Sequence, residues 1–125
     1  LYRFRNYQLQ QLTRDHSQVE EMVEMGMITP EEAINHPHRN VITRAVGVEH
    51  QLFVDLNVFS TQLGDSFLLC SDGLYNAVAF RDMERILGER EPEASAVSLM
   101  STALENGADD NVSLVVVKGE PGTLT

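Results

Sequence analysis

The stretch Ser66-Phe67-Leu68-Leu69-Cys70-Ser71-Asp72-Gly73 decides how this chain folds. Five residues dominated by apolar side chains end abruptly in a small polar residue, an acid and a glycine. The run is short enough for a strand and too short for a helix, and its apolar continuity predicts burial on both faces. Asp72 and Gly73 then mark the point where the strand gives way to a turn or cap. Upstream, Gly64-Asp65 reads as the turn that feeds the strand. Downstream, residues 81–87 place Met83, Ile86 and Leu87 on one face of a short helix closed by Gly88. Pro92 opens a longer helix with Val97, Met100 and Leu104 as its apolar face and Gly107 as its stop. Val112 to Val117 forms the last predicted strand. Residues 119–125 read as a frayed tail.

Further from that centre, residues 1–12 predict a hairpin around Asn6, with Tyr2, Phe4, Leu9 and Leu12 as its apolar positions. Ser17 and Glu20 fit a capping box ahead of a helix that carries Val19, Met22 and Val23 and stops at Gly26. Thr29-Pro30-Glu31-Glu32 predicts a second, short helix ended by His36-Pro37. Val41 to Val46 reads as extended. Leu52, Val54, Leu56 and Val58 alternate with Phe53, Asp55, Asn57 and Phe59, the period of a half-buried strand. The order predicts an α+β chain with mostly antiparallel strands.

Composition bounds the function. The 125 residues hold 19 acidic and 9 basic side chains, a formal net charge of −10. That charge repels nucleic acid and anionic membrane surfaces, so neither is an expected partner. No run of about 18 apolar residues predicts a membrane span. A lone cysteine, Cys70, cannot form an internal disulfide, which suits a reduced thiol and a cytoplasmic location. The chain opens at Leu1, directly in a strand-like run, as expected of a fragment or a processed product.

Two carboxylates stand at strand ends. Asp72 follows one predicted strand and Asp110 precedes another, inside Gly107-Ala108-Asp109-Asp110-Asn111. If both strands share a sheet, both acids can lie at one edge, where a hard divalent cation would offset their repulsion. The alternative is that each is an ordinary turn or cap residue. The four histidines, His16, His36, His38 and His50, show no helical zinc-ligand spacing and read as loop residues. No glycine-rich nucleotide loop and no serine nucleophile elbow occurs.

Four blocks resemble the metal-dependent PP2C (PPM) Ser/Thr protein phosphatases, particularly the small bacterial members. They are Gln11-Leu12-Thr13-Arg14-Asp15-His16-Ser17; Gly26 to Ala33 with His36-Pro37-His38-Arg39-Asn40 and Thr43-Arg44-Ala45-Val46-Gly47; Gly64-Asp65 with Leu68 to Leu74; and Gly107 to Val117. The resemblance implies the C-terminal half of an α-β-β-α sandwich of antiparallel sheets flanked by helices, with residues 1–118 as that half-domain. It implies hydrolysis of phosphoserine or phosphothreonine on a phosphoprotein, a Ser/Thr kinase or its targets, by water held on Mn²⁺ or Mg²⁺, two or three ions in a complete domain. Asp72 and Asp110 match metal ligands, while Gly73 and Asn111 support them. Residues 23–39, including Gly26, Thr29, His36, His38 and Arg39, match a mobile flap. The Asp-Gly-x-Gly-Gly motif, the phosphate-binding basic residue and the further acidic ligands of the family's N-terminal half do not occur in this chain. The missing half is therefore an expected partner, and a lone half would be inactive. A phosphatase-like module acting only through protein contacts is the alternative.

Overall fold

The computed structural model describes residues 1–122. Its elements, in chain order, are β1 (Tyr2–Arg5), β2 (Gln8–Gln11), α1 (Gln18–Glu24), α2 (Pro30–Ile34), β3 (Ser66–Cys70), α3 (Asp72–Ala77), α4 (Phe80–Glu89), α5 (Pro92–Glu105) and β4 (Leu114–Lys118). They fall into two compact units. One combines Leu1–Thr13 with the chain from Phe59 onward, and the other is Arg14–Val58.

The first unit is built on one antiparallel sheet with strand order β2-β1-β3-β4. The expected hairpin closes through Asn6 and Tyr7, both at positive φ (51° and 62°). Two successive left-handed residues give the tight turn whose twist matches paired strands. β3 lies between β1 and β4, with Leu68 opposite both Tyr2 and Val116. Tyr2 and Leu68 are buried with Met83, Ile86 and Leu87 of α4 and Leu99 and Ala103 of α5, and Phe4 and Val116 pack against this core.

The opposite face of the sheet is open. Leu69, Val115 and Val117 are 47%, 56% and 49% exposed. β3 is therefore buried on one face only, not on both as its apolar run predicts, because helices cover just one side of the sheet. Cys70 is half-buried for the same reason, being on the covered side near its end.

Two helix faces also differ from the prediction. In α5, Val97 and Leu104 are largely exposed, and the buried row is Ser95, Leu99 and Ala103. Those three are spaced four apart, so they form one stripe whose small ends allow close approach. The Ser95 hydroxyl lies 3.3 Å from the Ile86 carbonyl and 3.2 Å from that of Arg90, tying α5 to the end of α4. Gly88 does not stop α4. A side chain there would come within 2.7 Å of the Phe4 ring, so this glycine makes room for an aromatic residue rather than ending a helix.

β3 is anchored at its start by a buried charge. Arg5 donates from Nε (2.7 Å) and Nη2 (2.6 Å) to the two carboxylate oxygens of Asp65. Such a fork-to-fork pair is both strong and directional. The Gln62 amide adds a bond at 2.8 Å, and the Asp65 carbonyl accepts from Gly119 just beyond β4.

In the second unit, Ser17 Oγ accepts from the Glu20 amide at 3.4 Å. The reciprocal box forms at the second helix instead. There Thr29 Oγ1 accepts from Glu32, and the Glu32 carboxylate accepts from the Thr29 amide. Gly26, at φ 70°, closes α1 as expected. The two predicted extended runs are not strands. Residues 41–46 contribute a single bridge, Ile42 with Ser17. Leu52, Val54, Leu56 and Val58 alternate in sequence, yet all four are exposed. Alternation gives a strand only when another strand pairs with it, and among the described residues none does. Asp55, within this run, accepts from Arg44 at 3.0 Å and contacts His16 Nε2 at 2.6 Å. These two partners lower its pKa, His16 most. Residues 119–122 follow β4 outside any element; positions 123–125 of the predicted tail lie outside the described residues.

Candidate metal centre

β3 delivers Asp72 to one end of the sheet. Ser71 is the N-cap position of α3 and Asp72 its first residue. The loop before β4 delivers Asp110 to the same end. Antiparallel pairing of Cys70 with Leu114 makes this unavoidable: the residues after one strand end must meet those before the other. The Ser71 amide donates to the Ser113 carbonyl at 2.9 Å, one step beyond the last paired residues.

Closer in, the two segments touch. Gly73 is buried, and a Cβ built on it would lie 2.3 Å from the Asn111 carbonyl oxygen and 3.5 Å from that of Asp110. Only a glycine allows this approach, whatever its φ. Asp110 Oδ1 accepts from the Asn111 amide at 2.7 Å. The bond that steadies Asp110 therefore comes from the main chain at 111, not from the asparagine side chain. Asp72, Asp110 and Asn111 are all exposed.

Gly73→Ala has a direct consequence. The new methyl group meets backbone, which yields less readily than a flexible side chain. We expect a loss of about 1–3 kcal/mol, typical of overpacking, read as a lower midpoint in urea unfolding. An unchanged midpoint would show that the 110–111 loop moves aside freely.

The donors available are carboxylate oxygens, which suit hard cations such as Mg²⁺ and Mn²⁺ rather than zinc. Among the described residues no group of three or more histidine, cysteine or acidic side chains gathers to hold a metal. The donor set therefore has the right chemistry but is partial. The flap positions Gly26, Thr29, His36, His38 and Arg39 lie in the Arg14–Val58 unit. There the His36 and His38 rings meet edge to face at 5.4 Å, and the His38 amide donates to His36 Nδ1.

Two residues were not singled out by sequence reasoning. Ser71 binds the loop before β4, and Arg5 pairs with an acid 60 residues away. A serine between a strand and an acid carries no distinctive signal, and neither does an arginine in a hairpin.

Comparison with known proteins decides the relationship. No family model matches the sequence. The Listeria monocytogenes Ser/Thr phosphatase stp is 42% identical over 118 residues, 94% of this chain and 47% of that protein. The crystal structure of the Mycobacterium tuberculosis Ser/Thr phosphatase PstP superposes with a TM-score of 0.89 at 39% identity, over 96% of this chain and 51% of that one. The chain matches the C-terminal half of the bacterial PP2C-type Ser/Thr phosphatases. It spans about half the length of these PP2C-type relatives. The catalytic domain of PstP is also known in complex with two manganese ions, at 37% identity and a TM-score of 0.78 over 92% of this chain and 47% of that one. Among the described residues, no helix is long and apolar enough to cross a membrane.

Proposed function

We propose that this chain supplies the C-terminal half of a metal-dependent protein Ser/Thr phosphatase domain, with Asp72 and Asp110 as its ligands to Mn²⁺ or Mg²⁺. The observation that carries the reading is the meeting of the Asp72-Gly73 and Asp110-Asn111 segments at one end of the sheet. Bound there, the cations would activate water and neutralise charge on a phosphoryl group. The chain's own part is to hold two carboxylates on adjoining strand ends, with Gly73 and the 111 amide fixing where they stand. The segment 23–39 is proposed as the flap that governs substrate access. The substrates are phosphoproteins, among them Ser/Thr kinases or their targets, in the cytoplasm.

The partner is the N-terminal half of the same domain. Relatives about twice as long support this, as does the open apolar face of Leu69, Val115 and Val117. The product of the complete reading frame is expected to hydrolyse a phosphothreonine peptide with Mn²⁺ and to lose activity in EDTA. Undiminished hydrolysis in EDTA would sink the proposal. One observation favours a second reading, a module that binds proteins without catalysis: among the described residues no group of three or more histidine, cysteine or acidic side chains gathers to hold a metal. A complete product with no Mn²⁺-dependent hydrolysis would support it.

A further inference from the structure

Ser71 joins the segment that carries Asp72 to the segment that carries Asp110. Its hydroxyl donates to the Asn111 carbonyl at 3.2 Å and accepts from the Ser113 amide at 3.1 Å. Its own amide bonds to the Ser113 carbonyl. One side chain thus uses both its donor and its acceptor capacity on the main chain of a segment 40 to 42 residues further on. The covalent neighbour of Ser71 on one side is Asp72, and the neighbour of Asn111 is Asp110. The hydroxyl therefore bridges the backbones that carry both acids, beyond the point where the β3–β4 pairing has ended at Cys70 and Leu114. Gly73 brings the same two segments into contact from the other side of Asp72.

We infer that Ser71 is a positioning residue whose hydroxyl clasps the loop before β4 and so sets the separation of Asp72 and Asp110 for a shared divalent cation. The inference rests on the metal reading proposed above. Both acids are exposed, so packing does little to hold them, and a hydroxyl bonded at both ends adds a cross-strand restraint to those from Gly73 and the 111 amide. Without it, the 110–113 loop keeps its covalent ends but loses two cross-strand bonds. Supporting groups of this kind change metal affinity by about 10–100-fold when removed.

The test is titration of the ¹⁵N-labelled product of the complete reading frame with Mn²⁺, whose unpaired electrons broaden nearby amide signals even when binding is weak. In the wild type, amides flanking 72 and 110 are expected to broaden together over one concentration range. Ser71→Ala should need about tenfold more Mn²⁺ for both sets, and Ser71→Thr, which keeps the hydroxyl, should restore the wild-type range. If Ser71→Ala does not fold, Ser71→Cys carries the same test, since its thiol bonds weakly. A wild-type midpoint in the folded alanine or cysteine variant, with only faster hydrogen exchange at the Ser113 amide, would overturn the positioning role and leave a structural one. Wild-type signals at 72 and 110 that broaden no more than those beside Glu31 or Glu105 would overturn the metal reading itself, and with it this inference.

Discussion

Asp72→Asn is expected to lower Mn²⁺-dependent phosphatase activity of the complete protein by at least about a hundredfold. Loss of a group that merely supports a ligand costs about 10–100-fold, and loss of a ligand should cost no less. The amide keeps the size of the carboxylate but not the charge that draws a hard cation. Because Asp72 is exposed at the start of α3, the fold should tolerate the change, with stability altered by no more than about 0.5 kcal/mol. Asp110→Asn should behave alike. The double variant should fall little below either single one, since in the proposed site both acids serve one centre and their losses would not add. The check is hydrolysis of a phosphothreonine peptide across a range of Mn²⁺, beside thermal melts. Full activity in either variant at every Mn²⁺ concentration would remove the acids from the mechanism.

The second large effect falls on stability. Asp65 is only 1% exposed and is held by the Arg5 fork and the Gln62 amide. Asp65→Ala leaves a guanidinium partly buried without its counter-charge, and breaking one side of such a pair costs about 3 kcal/mol or more. Urea unfolding followed by circular dichroism reads this directly. The pH dependence has a definite sign. The Arg5 hydrogen bonds, the largest cause, bring the Asp65 pKa down from 3.8 to about 2. A depressed pKa means stability present above the unfolded value and lost as pH falls through the folded one. The wild type should therefore lose on the order of 2 kcal/mol from this group between about pH 4 and pH 2. Asp65→Asn should lose correspondingly less over that window. Equal losses in both proteins would show that Asp65 is not the group being protonated.

Several features were legible in the sequence because their causes are local. The hairpin around Asn6, the caps at Ser17 and Thr29, the stop at Gly26 and the apolar face of α4 depend on neighbours within a turn or two. The candidate acids were legible for a related reason: a strand followed by Ser-Asp-Gly, and a second strand preceded by Asp-Asn, each announce a strand end. What misled was periodicity without a partner. Residues 52–59 carry the alternation of a strand, and α5 carries apolar residues on more than one side, but burial is conferred by whatever lies opposite.

The residues alone thus determined where strands end, which acids stand there and which family the pattern resembles. Tertiary structure alone decided that those ends meet. It decided that Gly73 is pressed on the Asn111 carbonyl, that Ser71 joins the two loops, that Arg5 finds Asp65 across 60 residues, and that one sheet face stays open. The physical reason is range. Caps and turns are set by bonds between residues a few places apart, whereas these contacts exist only after chain closure has brought distant segments together, at an entropic cost that no local sequence signal records.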